Sequence, residues 1–152
     1  MAVAQQHWAA QWHRYQGHTP HDAFRVGHHA IGRGNFEGGV HIGYVDQHKK
    51  RLIIGWGGRQ HDLSEFEVLC VPNEHHCQFK WHSCHGACRP QFFIPLYGGH
   101  ESDGRELYIA KARHGGEERI GKAGQHLIDG MSFACNDQEV ICGSYEVLGF
   151  AN

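Results

Sequence analysis

Proline is scarce in this chain, 4 residues in 152, and no apolar run approaches the about 20 residues that a membrane-crossing helix needs. No strong charge of one sign is present: 14 Lys and Arg stand against 16 Asp and Glu, a formal net charge of −2. The basic run Lys49-Lys50-Arg51 is too short for the broad cationic face that phosphates require, so it reads as a solvated turn and nucleic acid is not an expected partner. The opening stretch MAVAQQHWAAQWHRYQ lacks a basic region followed by an apolar core, so no secretory leader is expected. A cytoplasmic setting is the resulting expectation, with release or cell-surface association as the alternative. Cysteines in that setting are expected as thiols. The sequence also lacks a Gly-x-Ser-x-Gly elbow, a His-Glu-x-x-His pair and a phosphate-cradling glycine loop. A non-catalytic protein without a cofactor is expected.

Glycine and histidine are abundant. The 21 glycines, scattered between short apolar runs, suggest a β protein with many tight turns, and no window sustains a 3.6-residue period, so helix content should be low. Protonating all 16 histidines would move the formal charge from −2 to +14. Imidazoles titrate near pH 6.5, so solubility and surface interactions are expected to change between neutral and mildly acidic pH.

Two stretches resemble each other. Ala30 to Leu69 aligns with Leu107 to Leu148: Ile31 falls on Ile109, Arg33 on Lys111, Gly38 on Gly116, Ile42 on Ile120 and Gly43 on Gly121, at a constant spacing of 78 residues. After one inserted residue, Phe66-Glu67-Val68-Leu69 falls on Tyr145-Glu146-Val147-Leu148. Upstream, Trp12-His13 with Gly17 matches Trp81-His82 with Gly86, and Pro20 matches Pro90. A spacing held over this length indicates an internal duplication. The expected division is an N-terminal segment 1–11, a first repeat 12–70, a linker 71–80, a second repeat 81–148 and a tail 149–152, all in one compact unit. Within each repeat Gly38-Gly39 and Gly115-Gly116 read as turns, and alternation around Glu67 and Glu146 predicts strands with one buried face. The segment Tyr97 to Arg105, longer than its counterpart Val26 to His29, reads as a polar, glycine-containing turn.

These motifs together resemble the DM-nine repeat family. The second copy carries Trp81, Gly86, Pro90, Gly98-Gly99-His100-Glu101, Leu107-Tyr108-Ile109-Ala110-Lys111-Ala112, His114, Gly116, Gly121-Lys122 and Tyr145-Glu146-Val147-Leu148. The first retains Trp12, Gly17, Pro20, Gly27, Ile31-Gly32-Arg33-Gly34, Glu37-Gly38, Ile42-Gly43, Gly57-Gly58 and Phe66-Glu67-Val68-Leu69. The resemblance implies an all-β protein of two tandem repeats of short antiparallel strands, packed as pseudo-twofold halves. It also implies a lectin, because the best understood members are mannose-binding lectins of bivalve molluscs that act in innate recognition. Mannose-type glycans would be the partners, and avidity favours a homo-oligomer, with a dimer first.

In those lectins an acidic residue after the Gly-Gly element and the lysine of the Gly-Lys pair contact mannose; the matching residues are Glu101 and Lys122. A carboxylate accepts hydrogen bonds from sugar hydroxyls and an ammonium donates to sugar oxygens, so the chemistry is reasonable in itself. His114, Glu117 and Glu118 share a glycine-rich turn and are expected to complete the polar ring. Tyr108, with Tyr97, is expected to cover an apolar sugar face. In the first repeat Tyr44 takes the place of Lys122, and His28-His29 replaces the acidic turn, which implies a degenerate site.

A weaker metal-binding reading, in a stress-response protein, attaches to Cys77, His82, Cys84 and Cys88, which are dense enough for zinc but lack the paired two-residue spacing of strong zinc signatures. Cys135 and Cys142, flanking Asn136-Asp137, suit a bridge across a hairpin under oxidising conditions. A third reading keeps the repeats as a protein-interaction module whose sugar site has decayed.

Overall fold

The computed structural model describes residues 3–152; residues 1 and 2 of the expected N-terminal segment lie outside them. The first half holds β1 (Gln11–Arg14), β2 (Arg25–Val26), β3 (His29–Phe36), β4 (Gly39–Asp46), β5 (Arg51–Trp56), β6 (Arg59–Leu63) and β7 (Glu67–Cys70). A single 3-10 helix, Asn73–Gln78, occupies the expected linker. The second half holds β8 (Phe79–His85), β9 (Tyr97–His100), β10 (Glu106–His114), β11 (Glu117–Ala123), β12 (Met131–Cys135), β13 (Gln138–Cys142) and β14 (Ser144–Phe150). The protein is all-β, as expected, and none of its described helices is long and apolar enough to cross a membrane.

The strands run β1-β7-β3-β4-β5-β6 and then β13-β12-β11-β10-β14-β8, the same sequence of roles met in reverse. Registers match as well. Gly32 faces Gly43 and Val68, just as Ala110 faces Gly121 and Val147; Trp12 faces Leu69, just as Trp81 faces Leu148. The halves meet where Gln138 pairs with Arg59. They meet again at β9, which pairs with β10 and, through His100 and Val40, with β4. That second contact returns the path from β4 round through β10 to β4, giving a barrel-like closure that spares those strands an open edge.

Two-residue hairpin turns set the registers. Glu37-Gly38, Gly57-Gly58, Gly115-Gly116 and Asn136-Asp137 all have positive φ at both positions, the geometry that matches strand twist. The first of these corrects the expected Gly38-Gly39 turn by one residue, because Gly39 already belongs to β4.

A second correction concerns Tyr97 to Arg105. Its first four residues are a strand, and their glycines serve close approach: a side chain on Gly98 would meet Ile42 Cδ1 at 2.7 Å, and one on Gly99 would collide with the Val40 carbonyl. The turn proper is closed by Gly104 N–H donating to Glu101 O (3.0 Å). Three apolar clusters fill the interior. A central one joins the halves through Ile31, Ile42, Leu107, Ile109 and Ile120; one lies in the first half around Val45, Leu52 and Ile54; one lies in the second around Tyr108, Met131 and Phe133.

Candidate functional site

Lys122 lies in β11, directly opposite Ser132 of β12 and next to Gly121, whose lack of a side chain lets the two strands close in. Its ammonium is buried (4% exposed) and donates to His41 Nδ1 at 2.9 Å. His41 comes from β4 of the other half and is 1% exposed. Burial, and then the Lys122 ammonium, push His41 down to about 4, so the imidazole is neutral and accepts the bond. Burial also lowers Lys122, opposed by the carboxylates Glu139 and Glu101. A side chain on Gly39 would meet His41 Nε2 at 2.9 Å and the Glu101 carbonyl carbon at 3.2 Å, so the imidazole and the Glu101 backbone both pack beside the start of β4. The Glu101 carboxylate itself takes His126 Nε2 at 2.7 Å.

Two bonded pairs, Lys122–His41 and Glu101–His126, thus form a polar seam near the junction of the halves, in which the Glu101 carboxylate acts on Lys122 through space. Beside Lys122 in the ladder, the buried Ser132 hydroxyl has no hydrogen-bond partner among the described residues. Where the seam reaches the surface, His126 lines an open cleft of about 380 Å³ together with Asp103, Arg105, Glu106 and Gln125. Its walls alternate acceptors and donors.

The other expected site residues distribute differently. Tyr108 is 0% exposed, its ring in the core; only its hydroxyl reaches the cleft, donating to Glu106 Oε1 (3.2 Å) and accepting from Gln125 (3.0 Å). It therefore cannot cover a sugar face. Tyr97 lies under Arg33, whose guanidinium carbon is 5.9 Å from its ring and 4.2 Å from that of Trp12.

His114, Glu117 and Glu118 do not join Lys122. Glu117 and Glu118 stand at the other end of β11 from Lys122 and share a pocket of about 40 Å³ with His29, Tyr44 and Arg119. Tyr44 packs against His29 with ring centroids 4.7 Å apart, and burial raises its hydroxyl above the ordinary range. Arg119 reaches Glu117 Oε2 at 3.4 Å. His114 is exposed and edges onto Phe133 (5.3 Å), and His28 is exposed beside Arg25.

Nor do the four metal candidates converge. Cys77 is exposed on the 3-10 helix, and His82 Nε2 is engaged by the Phe150 carbonyl (3.1 Å) while its ring stacks on Phe93. Cys84 and Cys88 do meet, Sγ to Sγ at 3.6 Å. No group of three metal-ligating side chains gathers among the described residues. Cys135 and Cys142 are not apposed either. Cys135 faces Gln138 and Cys142 faces Met131, so they sit at opposite ends of the hairpin, beyond the about 7 Å Cα limit of a disulfide.

A family model described as DM9 repeat matches residues 28–142, three quarters of the chain. The chain belongs to the DM9 repeat family. No curated protein sequence gives a significant match. Among solved structures, the crystal structure of the nematode sperm cell motility protein MFP2B superposes with a TM-score of 0.59 at 16% identity, which is a likeness of fold. The superposition covers 97% of this chain and 46% of that one, so the chain spans about half the length of that neighbour.

His41, His126, Gln125 and Ser132 are the site residues that motif reading misses. Repeat alignment pairs residues at equivalent positions, whereas His41 and Lys122 come from non-equivalent positions of different halves, 81 residues apart. The one available signal is a histidine on an otherwise apolar strand face.

Proposed function

We propose that the protein is a non-catalytic carbohydrate-binding protein, a mannose-directed lectin of glycan or pathogen recognition, with its main site at the outer end of the Lys122–Glu101 seam. The observation that carries the reading is the Glu101–His126 pair, whose histidine lines a cleft with walls that alternate donors and acceptors, with the buried Lys122–His41 pair within electrostatic reach of Glu101. Vicinal sugar hydroxyls each present one donor and acceptors, and such walls match them on both counts. The partners would be mannose-type glycans, and a second copy of the chain would supply avidity.

A second reading, a protein-interaction module with a decayed sugar site, is favoured by one specific fact: the Lys122 ammonium is enclosed and already bonded to His41.

Titration of mannose-type glycans by calorimetry, with Glu101→Ala, Lys122→Ala and Tyr44→Ala, separates the two. A lectin loses binding at least about tenfold in the first two variants, one hydrogen bond to a charged group being worth about 1.5–3 kcal/mol, and keeps it in the third. Absence of saturable glycan binding in the wild-type protein leaves the interaction module.

A further inference from the structure

Cys84 lies next to the end of β8 and Cys88 follows the turn after it, with Gly86 between them at φ +63°, a conformation that brings the chain back on itself. The two sulfurs stand 3.6 Å apart, against about 2.0 Å in a disulfide, so a small approach of one thiol would join them. Their surroundings differ. Cys88 is 0% exposed, packed among Tyr108, Ala123 and Met131, whereas Cys84 is half-buried and opens onto a surface cleft of about 650 Å³. That cleft is also lined by Arg89 and the exposed ring of Phe92, a rim with one fixed positive charge and an apolar face, suited to a small acidic molecule.

We propose that Cys84 and Cys88 form a redox-active dithiol that exchanges with an acidic low-molecular-weight disulfide of the glutathione type, Cys84 being the attacking thiol and Cys88 the resolving one. The Cys84 thiolate attacks one sulfur of the small disulfide; a Cys84 sulfur–sulfur bond forms, the small disulfide breaks, and its other half leaves as a thiolate that takes up a proton. Cys88 then gives up its proton and attacks Cys84 Sγ, forming the Cys84–Cys88 bond and releasing the second small thiol. The protein dithiol has lost two electrons and two protons, and one disulfide has become two thiols.

The asymmetry supports this order. The hydrogen bond from Cys88 holds Cys84 below the ordinary thiol range, and the same bond, with burial, raises Cys88. Neither thiol belongs to the Lys122 seam, so the proposal stands independently of sugar binding.

The test incubates the full chain with oxidised glutathione, quenches by alkylation and maps thiols by mass spectrometry. In the wild-type protein the peptide beginning at Trp81 should lose two hydrogens and carry no glutathione. Cys88→Ser should instead trap one glutathione on Cys84, and Cys84→Ser should leave Cys88 reduced. The proposal is overturned if the wild-type peptide keeps both free thiols while the exposed Cys77 is modified, or if glutathione stays on Cys84 with Cys88 present. If the buried Cys88→Ser substitution prevents folding, the wild-type map and the Cys84→Ser protein still decide it.

Discussion

Lys122 and Tyr44 stand at matching places in the two halves, and their neighbourhoods solve one packing problem in opposite ways. Lys122 faces Ile109 and Ser132 in its ladders; Tyr44 faces Ile31 and Ile53. In the first half an aromatic ring against His29 and Ile53 fills the space, leaving a pocket of about 40 Å³. In the second an ammonium occupies the place, and a buried charge is tolerated only with partners: His41 accepts from it, while Glu101 and Glu139 favour its charge. Both neighbourhoods borrow from the opposite half, His41 for Lys122, and Glu117, Glu118 and Arg119 for Tyr44. Equivalent backbone therefore does not mean equivalent chemistry, because each pocket is walled by residues that the matching repeat position does not specify.

The comparison can be broken first at its shared backbone. Gly43→Ala and Gly121→Ala would drive a methyl group into the Ile53 and Ser132 carbonyls, so each should cost about 3 kcal/mol or more in urea denaturation. Similar losses at both positions would sustain the equivalence, and a mild effect at either would end it.

The chemical difference is exposed by pH. His41 has its folded value depressed to about 4 from 6.5, so the unfolded chain takes up a proton that the folded one refuses. Stability should be full above pH 6.5 and fall by about 3 kcal/mol by pH 4. His7, also lowered by burial, acts in the same direction. His41→Asn should flatten most of the fall measured by denaturation between pH 7 and 4.5; an unchanged slope would remove His41 from the account.

Ser132→Ala tests the polar seam more gently. An unpartnered buried hydroxyl costs free energy, so its removal should leave stability unchanged or raise it by up to about 1 kcal/mol by thermal denaturation. A loss of more than that would mean the hydroxyl is bonded after all. The smallest effect lies in the turns, where Gly57-Gly58 in the first half answers to Asn136-Asp137 in the second. Asp137 holds φ +65°, which glycine adopts freely, so Asp137→Gly should stabilise by about 0.5–1 kcal/mol. No gain would show that the aspartate side chain compensates for its strained backbone.

Much of the fold was legible because it rests on local rules. Period-two alternation places Phe66 and Val68, and likewise Tyr145 and Val147, on a buried face. Gly57-Gly58 and Gly115-Gly116 mark hairpins by the freedom of their backbone. Reading failed where a glycine served proximity instead of turning, as at Gly98 and Gly99, which are strand residues pressed against Ile42 and Val40. It failed too where sequence neighbours parted in space. Glu117 and Glu118 are close to Lys122 along the chain, yet β11 sets them five and four residues away at about 3.4 Å per residue, where they line the pocket around Tyr44 instead.

By itself, then, the order of residues determined the all-β class, most of the hairpin turns and the matching strand roles of the halves. These depend on periodicity and backbone conformation, which act over a few residues. Only the tertiary structure decided that His41 caps Lys122, that His126 takes Glu101, that Tyr108 is core and that Cys84 meets Cys88 while Cys135 misses Cys142. Those contacts were set by how two seven-strand halves meet and close, a burial of apolar surface summed over the whole chain and visible in no single stretch of it.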